Sequence, residues 1–431
     1  MSRMPVFIVL ALASLFALLV PATSWASGFV ITVKPGANDV PLAMPKVHAP
    51  EGDPWGDAGK LWDIVYRDLE MTGYFQMIDP NAYIEQGAGV EPGSFDYADW
   101  RAVQATALAK IRLTPRNHDL QADVYLYDVN AGVKIAARGF VAKPAELRHL
   151  AHRISDAIVQ ALTGQPSFFG AVLAAVGTQS GNKEIYLLDI DGEGVRAVTR
   201  NGSINLSPAW TVNGGSLAWT SYKRGNPDVY LKDLGTGRTQ ILSNRPGINS
   251  GAAFSPAGNT VALARSDGGD TDIFVIDASS GADVQRLTRG GGIDVAPHYG
   301  PKGKLVAYSS ERSGGSQVYV QDVVSGEATR VTFQGEWNMD PVISPDGTKI
   351  AYVTRAQTFD IMVVGIDGRN PIRITQDMGD NEDPCWSPDG RYLIFSSTRT
   401  GRSDVWLATA DGRHQAAITT TGGWYQPTWH P

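Results

Sequence analysis

The chain opens on an apolar run, Val6 to Val20, broken only by Ser14. Arg3 stands before it, Pro21 ends it, and Ser24-Trp25-Ala26 follows. A positive start, a short apolar stretch and small residues at a cleavage site mark a secretory signal. As a helix the run would reach about 22 Å, short of the ~30 Å bilayer core. Residues 1–26 are therefore expected to be removed. No Cys follows the run, so no lipid attachment is expected. The mature chain should be exported, without direct membrane insertion.

From Leu206 onward the hydrophobic pattern becomes periodic. The position of Trp210 recurs as Phe254, Tyr299, Ile343, Trp386 and Trp429, at spacings of 44, 45, 44, 43 and 43. Two residues earlier stand Pro208, Ala252, Pro297, Pro341, Pro384 and Pro427. Four residues later stand Gly214, Gly258, Gly303, Gly347 and Gly390. The clearest turns read Ser344-Pro345-Asp346-Gly347 and Ser387-Pro388-Asp389-Gly390. Pro presets φ and Gly accepts a positive φ, so each is a hairpin turn. A strand follows each turn, with alternating pairs such as Leu217/Trp219, Val261/Leu263 and Leu393/Phe395. A third strand carries Val229-Tyr230-Leu231, Ile273-Phe274-Val275 and their equivalents. A fourth is expected to end at Ser243, Thr288, Thr332, Thr375 and Thr419. Four strands per repeat of this length indicate β-propeller blades.

The repeat is split at its ends. The chain stops at Pro431 just after starting a copy, and the region 171–199 holds the rest of one. The C-terminal strand should therefore pair with the first blade and close a six-bladed ring, leaving no free edge. Residues 167–431 make up this propeller.

Residues 27–166 lack the repeat and read as an α+β domain. A strand is expected at Val30–Lys34. A helix runs from Pro54 to Met71, with Asp53 as a possible cap and Gly73 as the stop. A short strand at Phe75–Ile78 follows, then a helix over Tyr97–Thr106. Three strands come next, at Ala109–Leu113, Leu120–Asp128 and Val133–Val141. A periodic helix over Ala145–Leu162 ends at Gly164 and Pro166. The short 164–166 connection predicts that the two domains touch.

Composition narrows the function. There are 47 Gly, about 11% against a usual ~7%, and the register above explains many of them. A single Cys excludes a disulfide scaffold or a Cys-based zinc cluster. Cys385 reads as a small core filler. A net charge of −7 does not support nucleic-acid binding. No Gly-x-Ser-x-Gly elbow occurs. His149 and His152 lie on the last helix of the first domain without a His-Glu-x-x-His pattern. They read as solvent-facing or capping, so neither a metal nor a cofactor is expected. The Asp-Gly pairs at 191, 346, 367, 389 and 411 resemble calcium loops in isolation, but their register makes them hairpin turns.

One constellation points to binding. Asn205, Asn249, Asp294, Asn338, Asn381 and Trp424 recur at the entrance to the innermost strand. Two residues on stand Ser207, Gly251, Ala296, Asp340, Asp383 and Gln426. These are expected to ring one mouth of the channel as a docking rim. The alternative is that the Asn and Asp side chains cap loops through local bonds.

The first domain contains Tyr66-Arg67-Asp68-Leu69-Glu70-x-x-Gly73-Tyr74-Phe75. It also contains Tyr125-Leu126-Tyr127-Asp128-Val129 and Leu147-Arg148-His149-Leu150-Ala151-His152. Followed by a six-bladed propeller, this order resembles the TolB family, the periplasmic component of Tol-Pal systems, over essentially the whole mature chain. The resemblance implies a monomeric, non-enzymatic periplasmic adaptor that supports outer-membrane integrity and constriction during cell division. It implies docking of the lipoprotein Pal at the propeller mouth, here Asn205, Ile248, Asn249, Ser250, Gly251, Asp294, Asn338, Asp340, Asn381 and Asp383. It implies docking of TolA through the segment Ser27, Gly28, Phe29, Val30, Ile31, Thr32 and Val33. Two departures stand out. Gly300-Pro301-Lys302-Gly303 and Ser255-Pro256-Ala257-Gly258 lack the usual turn Asp, and Ala109-Lys110-Ile111-Arg112 replaces the more usual apolar-Gly strand. The competing classes are a propeller lyase or hydrolase using Asp294, Asp340, Asp383 or His298 in the channel, and a module that binds cell-wall sugar.

Overall fold

The computed structural model describes residues 40–53, 55–85, 89–266, 269–376 and 378–431. The signal, the Val30–Lys34 strand and the Ser27–Val33 segment lie outside the described residues.

The N-terminal part is a five-stranded sheet with helices. Its elements are β1 (Val40–Ala43), α1 (Asp57–Met71), β2 (Phe75–Met77), α2 (Tyr97–Ala102), β3 (Ala107–Arg116), β4 (Asp119–Asp128), β5 (Val133–Ala142) and α3 (Leu147–Thr163). The sheet order is β2-β1-β3-β4-β5. β1 runs parallel to its neighbours β2 and β3, and the other pairs are antiparallel. Asp53 does cap α1, from outside its first turn: its carboxylate accepts from the N–H groups of Asp57 (2.7 Å) and Ala58 (3.0 Å). Gly73 and Gly164 take the left-handed φ values, 65° and 67°, that end α1 and α3. α2 is shorter than its pattern suggests. Gln104 adopts φ 63°, turning the chain into β3 two residues earlier than expected. Lys110 on β3 points inward. Its ammonium is buried against Glu85 Oε1 and Gly89 O, both at 3.0 Å.

The propeller has six four-stranded blades. Five are continuous in sequence. The sixth joins the C-terminal strand Trp424–Trp429 to β6 (Val172–Gly177), β7 (Glu184–Asp189) and β8 (Arg196–Ala197). The closing register pairs Trp424 with Gly177 and Trp429 with Leu173.

The recurring Thr sits just past the fourth strand, not at its end, in every blade that carries it. Its hydroxyl accepts the backbone N–H of the third strand: Thr199 from Ile185, Thr288 from Ile273, Thr332 from Val318, Thr375 from Ile361 and Thr419 from Val405, all at 2.8–2.9 Å. Each Thr is buried, so it supplies a donor's partner that neither water nor the departing strand can supply. The Asp-Gly turns close on themselves as hairpins: Ser344 Oγ and Ser387 Oγ donate to Asp346 and Asp389 at 2.6 and 2.7 Å.

The two parts share one apolar core. Leu61, Leu69, Leu150, Ile158 and Leu162 of the helices join Phe168, Phe169, Leu173, Tyr392 and Trp429 in a single cluster. Phe168 packs edge-on against Tyr392 and Trp429, at 4.7 and 5.8 Å between ring centroids. Polar contacts rim this seam. Tyr392 Oη donates to Thr72 O at 2.9 Å, and Arg391 bonds Tyr74 Oη.

Candidate functional site: the propeller mouth and channel

The antiparallel blades place two kinds of turn at one end and two at the other. The first domain packs on the end holding turns such as 387–391 and 189–194. The opposite end holds the loops that lead into each innermost strand: 200–204, 244–248, 289–293, 333–336, 376–380 and 420–423. Among the described residues, that end is free of the first domain.

Every innermost strand carries a bulge. Two inner residues oppose one on the neighbouring strand, as Gly251 and Ala252 face Leu263, and Asp383 and Pro384 face Phe395. The first bulge residue has positive φ in all six blades: Ser207 52°, Gly251 67°, Ala296 52°, Asp340 51°, Asp383 56° and Gln426 48°. This is the geometry of a bulge with its first residue in the left-handed region. The second residue is Pro in five of six blades. It lies on the edge strand of the blade, where a missing N–H costs nothing. The register of Pro seen in the sequence therefore marks the channel wall. Freed N–H groups are taken up around the ring. Gln426 N–H donates to Asp383 Oδ2 (3.2 Å), and Ser207 N–H donates to Gln426 Oε1 (2.8 Å).

The bulges open onto a channel cavity of about 570 Å³. Aromatic and Pro side chains line one end, including Trp210, Tyr299, Trp386 and Pro388, and Asp340 and Asp383 stand in its wall. Burial, with the nearby charges of Asp383 and Glu382, pushes Asp340 up to about 7. Burial also raises Asp383, against a 2.7 Å bond from Ser396 Oγ. His298 is held near 4 by burial, and its Nδ1 accepts from Ile343 N–H at 3.1 Å. It stays neutral and serves as a backbone acceptor. Cys385 lines the same cavity. It is half-buried and packs against the apolar core, accepts from Trp429 N–H at 3.4 Å, and its thiol is raised by burial.

The expected polar rim needs correction. Asn205, Asn249, Asp294, Asn338 and Asn381 are fully buried. Their side chains fasten each entrance loop to neighbouring backbone and side chains. Asn205 Nδ2 donates to Glu184 Oε2 (2.9 Å), Asn249 Nδ2 to Pro227 O (3.1 Å) and Asn338 Nδ2 to Gln317 Oε1 (3.1 Å). Asn381 Oδ1 accepts from Ser397 Oγ (2.8 Å), and Asp294 pairs with Arg312 (3.1 Å). Trp424 is also buried. These bonds are the local capping alternative; Asp294 Oδ1 and Asn338 Oδ1 keep no hydrogen-bond partner among the described residues, but both are buried away from a partner's reach. Ser250, Gly251, Asp340 and Asp383 remain half-buried beside the channel, and Ile248 is exposed.

What the mouth does present, in four of the six blades, is the residue before the buried one; in the other two this residue is Asp380 or Gly423, both half-buried. Strand alternation turns the four outward. They are Ile204 (48% exposed), Ile248 (40%), Ile293 (45%) and Trp337 (40%), joined by Phe333 and Met378. Their spacing of 44, 45 and 44 was visible in the sequence. Of the four, only Ile248 belongs to the rim expected from the sequence.

A second cluster joins the two parts of the molecule. His152 on α3 lies 2.8 Å from Asp68 Oδ2 on α1 and 3.1 Å from Asp191 Oδ2 on the propeller. Arg148 binds both Asp191 oxygens (2.7 and 2.8 Å) and Asp189. His149 faces solvent as expected, but His152 is buried and does not.

A family model described as the TolB beta propeller domain matches residues 159–431, and one for the TolB amino-terminal domain matches residues 30–135. The chain belongs to the TolB family. Over 183 residues it is 36% identical to a Tol-Pal system protein TolB of Geobacter sulfurreducens, covering 42% of each chain. A relative of the same description from Desulfosudis oleivorans is 35% identical over 207 residues, 47% of each chain. These matches span less than half the length of those curated relatives. The crystal structure of TolB from Acinetobacter baumannii superposes with a TM-score of 0.79 at 27% identity, covering 93% of this chain and 98% of that one.

Proposed function

We propose that this chain is a non-enzymatic periplasmic adaptor of a Tol-Pal system, exported by a cleaved signal over residues 1–26. It docks the lipoprotein Pal at the propeller mouth and TolA through Ser27–Val33, in support of outer-membrane integrity during division. Family membership supports the system. The observation that supports the docking site is the exposed arc of Ile204, Ile248, Ile293 and Trp337 around a mouth that no described residue of the first domain covers. Exposed apolar groups clustered on one face are the usual mark of a protein-binding site. Gly251, Asp340 and Asp383 form the floor beneath that arc.

The test is binding of the soluble Pal domain by calorimetry to the mature protein. Ile248→Asp with Trp337→Asp should abolish binding, while Val324→Asp, on a turn at the other end of the blades, should not. Equal binding by both variants would remove the mouth as the docking face. Deleting Ser27–Val33 should abolish TolA binding alone.

A further inference from the structure

The three entrance loops of the first three continuous blades share a composition that the other three lack. They read Arg200-Asn201-Gly202-Ser203-Ile204, Asn244-Arg245-Pro246-Gly247-Ile248 and Arg289-Gly290-Gly291-Gly292-Ile293. Each pairs one Arg with one exposed Ile, and none contains an acid. The remaining loops carry Glu336, Asp380 or no charge. Arg200, Arg245 and Arg289 are all exposed. Arg200 and Arg289 make no ion pair or hydrogen bond among the described residues. The nearest carboxylate to Arg245, Asp283 at 3.9 Å, already holds Arg265 at 2.6 Å. The adjoining turn adds Lys223 and Arg224, and among the described residues the acids beside this arc that are not fully buried are Asp270, Glu311 and the Arg265-paired Asp283. The arc is thus basic on a chain whose net charge is −7.

We infer that this Arg-Ile arc, over the first half of the mouth, receives an acidic segment of the docked protein: Asp or Glu side chains on the three Arg, with apolar side chains between the three Ile. The inference rests on the mouth being the docking face. A protein segment fits better than a polyanion or an anionic lipid surface. The cations are interleaved one-for-one with isoleucines on a concave ring, and the rest of the surface is net acidic and repels a uniform polyanion. Complementary charge of this kind acts chiefly on the encounter rate and its salt dependence, whereas buried apolar contacts act on the dissociation rate. The two residue types should therefore separate kinetically.

The experiment is stopped-flow association of the soluble Pal domain with the mature protein at about 20 and about 200 mM salt, where the screening length differs severalfold. Arg200→Gln, Arg245→Gln and Arg289→Gln together should slow association about tenfold at low salt and flatten its salt dependence, and the triple Arg→Lys variant should restore most of both. Ile204→Ser with Ile293→Ser should instead raise the dissociation rate. If the Arg variant keeps the wild-type association rate and salt slope while the Ile variant weakens binding, the mouth remains the docking face and the acidic-segment inference fails. If neither variant changes binding, the docking face itself is wrong. Arg-dependent binding of phosphatidylglycerol vesicles at about 200 mM salt as tight as that of the Pal domain would also overturn the inference.

Discussion

His152 hydrogen-bonds Asp68 through Nδ1 at 2.8 Å, inside the seam between the helices and the propeller. Its other nitrogen reaches Asp191, and its ring stacks near Phe169. One imidazole therefore ties α1, α3 and the closing blade. Burial opposes its charge, but the bonds to Asp191 and Asp68 overcome this and push it up to about 9. Those bonds, with Arg148, hold Asp191 well below the usual carboxylate range. Burial acts the other way on Asp68 and raises it.

A folded-state value above the unfolded one means that the clamp stabilises fully below the unfolded pKa of ~6.5 and fades as pH rises through about 9. The shift corresponds to roughly 3 kcal/mol. Urea unfolding from pH 6 to pH 10 should show this loss in the wild type and not in His152→Gln. Parallel pH profiles for the two proteins would refute the charged clamp.

Asp191→Ala removes the shared partner of His152 and Arg148. Two buried or half-buried cations then face each other with fewer counter-charges, a change that typically costs about 3–5 kcal/mol. The drop should appear in urea unfolding, and Asp191→Asn should recover part of it. A cost below about 1 kcal/mol would mean that the apolar seam alone holds the two parts together.

The six bulges give a paired backbone test. Gly251 at φ 67° has room for a methyl group, the nearest side-chain atom being Pro297 Cδ at 3.8 Å from the added Cβ. Gly251→Ala should therefore cost only the left-handed penalty of about 1–2 kcal/mol. Ala296→Gly, at the equivalent site with φ 52°, should recover a comparable amount, less the entropy of a more flexible unfolded chain. A cost well above this range for Gly251→Ala would show that the site is limited by packing.

Thr375 is fully buried, accepts from Ile361 N–H and donates to Asp360 Oδ1 at 2.8 Å. Thr375→Val keeps the shape, orphans the Ile361 N–H and leaves Asp360 Oδ1 only the longer bond from Asn381 Nδ2 (3.3 Å), so it should cost about 1–3 kcal/mol. Thr375→Ser should cost less. The amide of Ile361 should lose hydrogen-exchange protection in the Val variant alone.

Asp340 offers the opposite pH sign. Its folded value, raised to about 7, means that its contribution is favourable at low pH and is lost as pH rises from ~4 to about 7. Asp340→Asn should be more stable than the wild type at pH 8, by roughly 2–4 kcal/mol, and should converge with it near pH 4. Equal stabilities at pH 8 would place the carboxylate in contact with bulk water.

The blades were legible because a bulge, a proline, a glycine turn and a buried threonine each leave a mark that repeats with the strands. Closure was legible because one strand of a copy stands at the C-terminal end of the repeat and the remaining three precede its first full copy. The buried polar positions and the exposed apolar ones at the mouth lie one residue apart. Asn205 and Ile204 are adjacent, and the pattern reveals that they alternate, not which of them faces out.

The linear order of apolar, proline and glycine positions was enough to settle the blades and the helices of the first part, since each depends on contacts within about one repeat; closure joins strands at opposite ends of the propeller and was marked only by the split copy. The burial of the entrance asparagines, the half-buried place of Cys385 and the charge on His152 were settled by folding. Asp68, His152 and Asp191 lie on three elements far apart in the chain, and the field that charges the imidazole exists only once the apolar seam has brought them together and excluded water.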